Sequence, residues 1–124
     1  MNKLFLKSTY TTPTVDFDPD KGLFQMEGRV IPEDAEGFFS QIISWIDNYS
    51  PDKQKALTLR FCLYYYNTSS SKRVFDIMRR FDELLNKGCN VTIRWEYEEG
   101  DEDAMKDGQD YKRYIKAPFE IVKI

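Results

Sequence analysis

Residues 55–78 read KALTLRFCLYYYNTSSSKRVFDIM, and the fold turns on the point at which their hydrophobic period changes. Up to Tyr66 the residues alternate. Leu57, Leu59, Phe61, Leu63 and Tyr65 fall on one face, with Thr58, Arg60, Cys62, Tyr64 and Tyr66 on the other, the pattern of a strand with one face in the core and one polar face. From Val74 onward the apolar residues recur at three-to-four spacing, through Ile77, Met78, Phe81, Leu84 and Leu85. This predicts an amphipathic helix over Thr68–Asn86, stopped at Gly88, which suits a left-handed C-terminal cap.

The same two periods recur on either side. Downstream, CNVTIRWEYEE (89–99) alternates, with Val91, Ile93, Trp95 and Tyr97 inward and Thr92, Arg94, Glu96 and Glu98 outward. An acidic stretch, GDEDAMKDGQD, then leads to a short helix predicted around YKRYIK (111–116) and a last strand, PFEIVKI, begun by Pro118. Upstream, TVDFDPDKGLFQMEGRVI (14–31) reads as two strands around an Asp-Pro-Asp-Lys-Gly turn, since Pro19 and Gly22 are turn residues. Between this hairpin and the central strand, EDAEGFFSQIISWIDNY (33–49) carries Phe38, Phe39, Ile42, Trp45, Ile46 and Tyr49 at helical spacing, and Ser50-Pro51 ends it. The predicted order is ββαβαβαβ. Helices linking parallel strands by right-handed crossovers fall on one side of a sheet, and strands covered on both faces would be apolar throughout. The expectation is an α/β (α+β) fold, an open mixed β-sheet with helices packed on one face, in a single domain spanning residues 1–124.

Composition narrows the function classes. Lys and Arg number 18 against 21 Asp and Glu, a net charge of −3, so no face is basic enough to neutralise a row of phosphates and nucleic acid is not an expected partner. The chain has no histidine, which removes Ser-His-Asp and Cys-His nucleophilic machinery and most zinc sites. Cys62 and Cys89 form no CxxC pair and are expected as buried free thiols. No stretch approaches the ~20 apolar residues that cross a bilayer, and the N-terminal MNKLFLKSTY lacks a signal-peptide core. The expected location is the cytoplasm, with no membrane partner.

Two acidic groupings resemble metal sites and fall short of them. In DFDPDKGLFQME, Asp16, Asp18, Asp20 and Glu27 occupy positions one, three, five and twelve of a calcium loop, but Lys21 stands where that loop needs glycine. The run Glu96, Glu98, Glu99, Asp101, Glu102 and Asp103 reads as a solvated loop and helix start, with carboxylates favoured near a helix N-terminus. Neither metal nor cofactor is expected. The open face bearing Arg60, Tyr64, Tyr66 and Arg94 is the candidate partner surface, because Tyr and Arg are favoured at protein interfaces.

The hydroxyl run Thr68, Ser69, Ser70 and Ser71 is the sharpest feature. Asn67 or Thr68 can cap the helix, worth about 0.5–2 kcal/mol, which accounts for one side chain and not four. A helix N-terminus also tolerates a phosphoryl group well, because free N–H groups and the helix dipole both favour its charge. Residue types alone favour plain capping.

YYYNTSSSKRVFDIM is similar to the Asn-Thr-Ser-Ser segment of the SiaC-like bacterial regulatory phosphoproteins, single-domain proteins related in fold to STAS-domain anti-sigma-factor antagonists. TTPTVDFD, GLFQMEGRVIPED, FFSQIISWIDNY, RWEYEEGDEDAMKDGQDY and IKAPFEI follow in the family's order. The resemblance implies a STAS-like, non-catalytic protein in which Thr68 is the phosphorylated residue. It further implies that a dedicated kinase and a PP2C-type phosphatase set its state, and that the unphosphorylated form binds and activates a diguanylate cyclase. A constitutive interaction module and a carboxylate-dependent enzyme are the two other classes.

Overall fold

The computed structural model describes all residues 1–124. Six strands form one sheet, and their spatial order is their order in the chain. β1 (Leu4–Leu6), β2 (Thr14–Asp18) and β3 (Leu23–Val30) pair antiparallel. β4 (Ala56–Tyr66), β5 (Asn90–Tyr97) and β6 (Phe119–Lys123) continue the sheet parallel to β3 and to one another. Each parallel step is bridged by a helix: α1 (Ala35–Asp47), α2 (Thr68–Asn86) and α3 (Glu102–Lys112). The expected mixed sheet with helices on one face is what forms. Its inward positions, among them Phe17, Phe24, Leu59, Phe61, Ile93 and Trp95, share one core with Phe39 and Ile42 of α1, Ile77 and Phe81 of α2, and Tyr111 of α3. Cys62 and Cys89 are buried and free.

Gly22 closes the β2–β3 turn at φ +63, and a Cβ there would lie 2.4 Å from the Ala56 carbonyl oxygen. The turn therefore needs glycine on both backbone and steric grounds.

Three expectations are corrected. The edge strand β1, three residues long, is additional to the predicted order. The third helix lies earlier than YKRYIK, over Glu102–Lys112, with Asp101 as N-cap accepting from the Ala104 amide at 3.0 Å. Its buried stripe is Ala104, Gly108 and Tyr111, and a Cβ on Gly108 would stand 2.6 Å from the Trp95 ring. A small-residue stripe lets the helix sit directly on the indole, whose Nε1 donates to the Ala104 carbonyl at 2.8 Å. The third correction concerns the end of β4. Arg29 pairs with Tyr64 but Val30 pairs with Tyr66, so Tyr65 is an extra residue in the strand, and it adopts φ 45. This bulge turns Tyr65 outward, 72% exposed, and swings Tyr66 to the helix side.

Candidate functional site where β4 meets α2

β4 delivers its last residues to the start of α2, where Asn67 is the N-cap. Its backbone is extended, its Oδ1 accepts from the Ser70 amide at 2.9 Å, and its carbonyl accepts from the Ser71 amide at 2.9 Å. One side chain thus performs the capping, and the hydroxyls that follow have separate fates. Thr68 and Ser69 are exposed in the first turn, where amides lack helical partners. Ser70 is fully buried, its Oγ without a hydrogen-bond partner. Ser71 is half-buried, its hydroxyl 2.5 Å from that of Tyr111, which also donates to the Ser71 carbonyl at 3.3 Å. Burial pushes the Tyr111 phenol up to about 12, so this oxygen stays protonated in any physiological medium. Of the four, only Thr68 and Ser69 therefore present a free hydroxyl to solvent. Thr68, Ser69, Lys72, Arg73 and Asp76 line one shallow depression, whose two cations follow Thr68 by about one helical turn.

The open sheet face carries Arg60, Arg94 and Tyr64 as expected, but its arginines are already engaged. The Arg60 guanidinium donates to Gln25 at 3.1 Å, Glu27 at 3.0 Å and Glu96 at 2.7 Å, and Arg94 Nε donates to Glu96 at 2.7 Å. Burial alone would raise the Glu96 carboxyl, and the two arginine hydrogen bonds outweigh it and hold it below the usual range. Glu96, read from sequence as an exposed acid, is 7% exposed. Tyr64 covers Cys62, whose thiol donates to its hydroxyl at 3.5 Å, and this contact pushes the phenol up to about 12.

Tyr66 does not join that face. The bulge places its ring 5.9 Å from Trp95, and its hydroxyl donates to Asp107 of α3 at 2.6 Å. Burial, reinforced by the Asp107 contact, raises its pKa well above the ordinary phenol value. Sequence reasoning also missed a grouping at the same end of the sheet. The Arg29 guanidinium lies 4.6 Å from the Tyr10 ring centroid and 5.4 Å from that of Tyr65. No periodicity points to it, because an alternating strand would have sent Tyr65 into the core.

A family model described as SiaC family regulatory phosphoprotein matches residues 6–124. The chain belongs to the SiaC family. An uncharacterized protein of Pseudomonas aeruginosa strain UCBPP-PA14 is 31% identical over 121 residues, covering 98% of this chain and 96% of that protein. Among solved structures, SiaC of Pseudomonas aeruginosa matches with a TM-score of 0.88 at 30% identity, over 100% of both chains. A chain in the crystal structure of diguanylate cyclase SiaD in complex with its activator SiaC, from the same organism, matches with a TM-score of 0.89 at 30% identity. That match covers 98% of this chain and 99% of the other. These matches span the end of β4 and the hydroxyl run that follows it.

Proposed function

We propose that this chain is a non-catalytic regulatory protein whose unphosphorylated form binds and activates a diguanylate cyclase, and that phosphorylation of Thr68 switches that binding off. The observation that carries the reading is the exposed Thr68 hydroxyl in the first turn of α2, in a chain similar to the activator seen with a cyclase. Asn67 holds the backbone, Ser69 is the neighbouring exposed hydroxyl, and Ser70 and Ser71 are set aside by burial and by the Tyr111 contact. A kinase and a PP2C-type phosphatase would set the state of Thr68. The chain itself needs no metal or cofactor in this role.

The direction of the switch follows from charge. A phosphoryl group adds about −1.5 to −2 charges, which free amides and the neighbouring Lys72 and Arg73 accommodate while the helix stays formed. A partner that packs over the same spot would have to desolvate that charge, which costs several kcal/mol unless the partner pairs it. Phosphorylation therefore leaves folding intact and removes binding. The partner surface in this reading comprises the first turn of α2 and Tyr64, four residues before Thr68, while Arg60, Arg94 and Tyr66 act mainly by holding the sheet and the β4 terminus in shape.

The experiment is a titration of the host's own diguanylate cyclase with wild type, kinase-phosphorylated wild type, Thr68→Ala and Thr68→Asp. Wild type and Thr68→Ala should bind and stimulate the cyclase, and the phosphorylated form and Thr68→Asp should fold normally and bind poorly. Equal affinities across the four would leave a constitutive binding module whose hydroxyl run contributes only to the start of α2.

A further inference from the structure

We infer that Tyr10, Arg29 and Tyr65 form a receptor for a carboxylate side chain of the protein partner. The inference rests on the reading of the chain as a cyclase-binding protein. Arg29 lies within cation–π distance of two aromatic rings and makes no ion pair or hydrogen bond through its side chain; Arg73 and Arg79 are likewise unpaired but each meets a single ring, Phe39 and Phe75, whereas Arg60, Arg80, Arg94 and Arg113 each bond a carboxylate of this chain. Both rings are close enough for their π-clouds to stabilise the guanidinium. Its N–H donors, unengaged by this chain, form a planar fork that fits a carboxylate with two parallel hydrogen bonds. Arg29 combines an unengaged guanidinium with two exposed aromatic neighbours, which leaves its donors free for an external anion.

The surroundings suit a protein partner. Tyr10 is 79% exposed and Tyr65 is 72% exposed, and Ile31, itself exposed, is tied to the segment carrying Tyr10 by the hydrogen bond its amide N–H donates to the Thr11 carbonyl at 2.9 Å. Exposed tyrosines around an arginine, with an aliphatic neighbour, are the composition of an interface hot spot. Tyr65 holds a left-handed backbone that a bulky side chain rarely adopts, the kind of strain that gathers at binding sites. Glu98 and Asp101 line a neighbouring depression with Tyr64 and Tyr65, and their charge opposes a long polyanion such as nucleic acid more strongly than one acidic side chain. Because Tyr65 precedes Thr68 by three residues, a phosphoryl group there would add negative charge beside the same docking path.

The first test needs no cyclase. The peptides acetyl-Leu-Glu-Leu-amide and acetyl-Leu-Gln-Leu-amide are titrated into the isotope-labelled full chain while the amide signals of Tyr10, Arg29 and Tyr65 are followed. Saturable shifts with the glutamate peptide, absent with the glutamine peptide and lost in Arg29→Ala, are expected. No shift, or shifts that survive in Arg29→Ala, overturns the inference. The second test measures affinity for the host's diguanylate cyclase. Arg29→Ala should weaken it by about tenfold or more, the scale of a hot-spot residue, and Arg29→Lys should recover some of the loss, with thermal stability unchanged in both. Unchanged affinity in Arg29→Ala overturns the inference while leaving the cyclase reading standing. If wild type fails to bind the cyclase at all, that reading falls and the peptide titration alone decides the receptor.

Discussion

From Thr58 to Cys62, β4 is paired to β3 on one side and β5 on the other, and its side chains alternate between core and open face without interruption. From Tyr64 to Tyr66 only β3 remains beside it, a residue is inserted, and the alternation breaks. Two neighbours fix the direction of every side chain in the first stretch, because a register slip would send each core residue into water. Along the second stretch the ladder to β5 is gone, and the backbone can take a bulge that aims a tyrosine outward and brings the chain to the cap of α2. The doubly paired stretch builds the platform, and the singly paired stretch puts Tyr65 at the surface.

The largest effect should come from the paired stretch. Phe61→Ala empties a fully buried position between Trp95 and the helices and should lower unfolding free energy by about 3–5 kcal/mol, read from denaturant midpoints at unchanged slope. A loss below about 1 kcal/mol would show that this region of β4 is not locked as described.

Arg60→Ala comes next. It removes three side-chain hydrogen bonds and leaves Glu96 buried with Arg94 alone, a change of about 1–3 kcal/mol. The same carboxylate gives a pH signature. Glu96 holds its proton less readily folded than unfolded, so its contribution is present in full above the ordinary carboxylate value and is lost as pH falls through the lower folded one. Glu96→Gln should flatten the acid limb of the stability curve relative to wild type, measured by urea unfolding across that range. An unchanged slope would mean that the Arg60–Glu96–Arg94 cluster is not held in solution.

Smaller effects belong to the irregular end. Tyr66→Phe deletes the hydroxyl bond to Asp107 and should cost about 1 kcal/mol, with α3 amides near Asp107 exchanging faster. Tyr65→Gly should change stability by less than about 1 kcal/mol in either direction, since relief of the left-handed backbone offsets the lost stacking on Arg29. The same substitution at Leu63, two residues earlier and buried, should cost several times more. Equal losses at Leu63 and Tyr65 would erase the contrast between the two stretches of the strand.

The doubly paired stretch was legible because its core residues are large and strictly periodic. The bounds of α2 were legible for a similar reason, with Asn67 before it and Gly88, at φ +95, beyond its end. What escaped reading has physical causes. α3 packs through Ala104 and Gly108, which carry too little apolar surface to mark a stripe, and an interior glycine lowers helix propensity by about 1 kcal/mol against alanine. β1 is too short to show a period and is held by its pairing to β2. The bulge at Tyr65 is invisible in a run of three identical residues, and with it went the place of Tyr66 and the whole Tyr10–Arg29–Tyr65 group. At the hydroxyl run, residue types marked the position, and burial of Ser70 and the Tyr111 contact of Ser71 separated Thr68 and Ser69 from the two serines beyond them.

Because the sheet is ordered β1 to β6 in chain order, every strand docks on the one made immediately before it, and no strand waits for a distant segment to fill a gap in the middle. On a ribosome, where residues emerge at about 5–20 per second, this lets the sheet grow from one edge like a wall laid course by course, each α-helix closing over its strand pair as it appears. Loops between consecutive neighbours keep the entropic penalty of closure low. The β4–α2 junction is then laid down before the last two strands exist, and its packing is completed only when Trp95 of β5 and Asp107 and Tyr111 of α3 arrive.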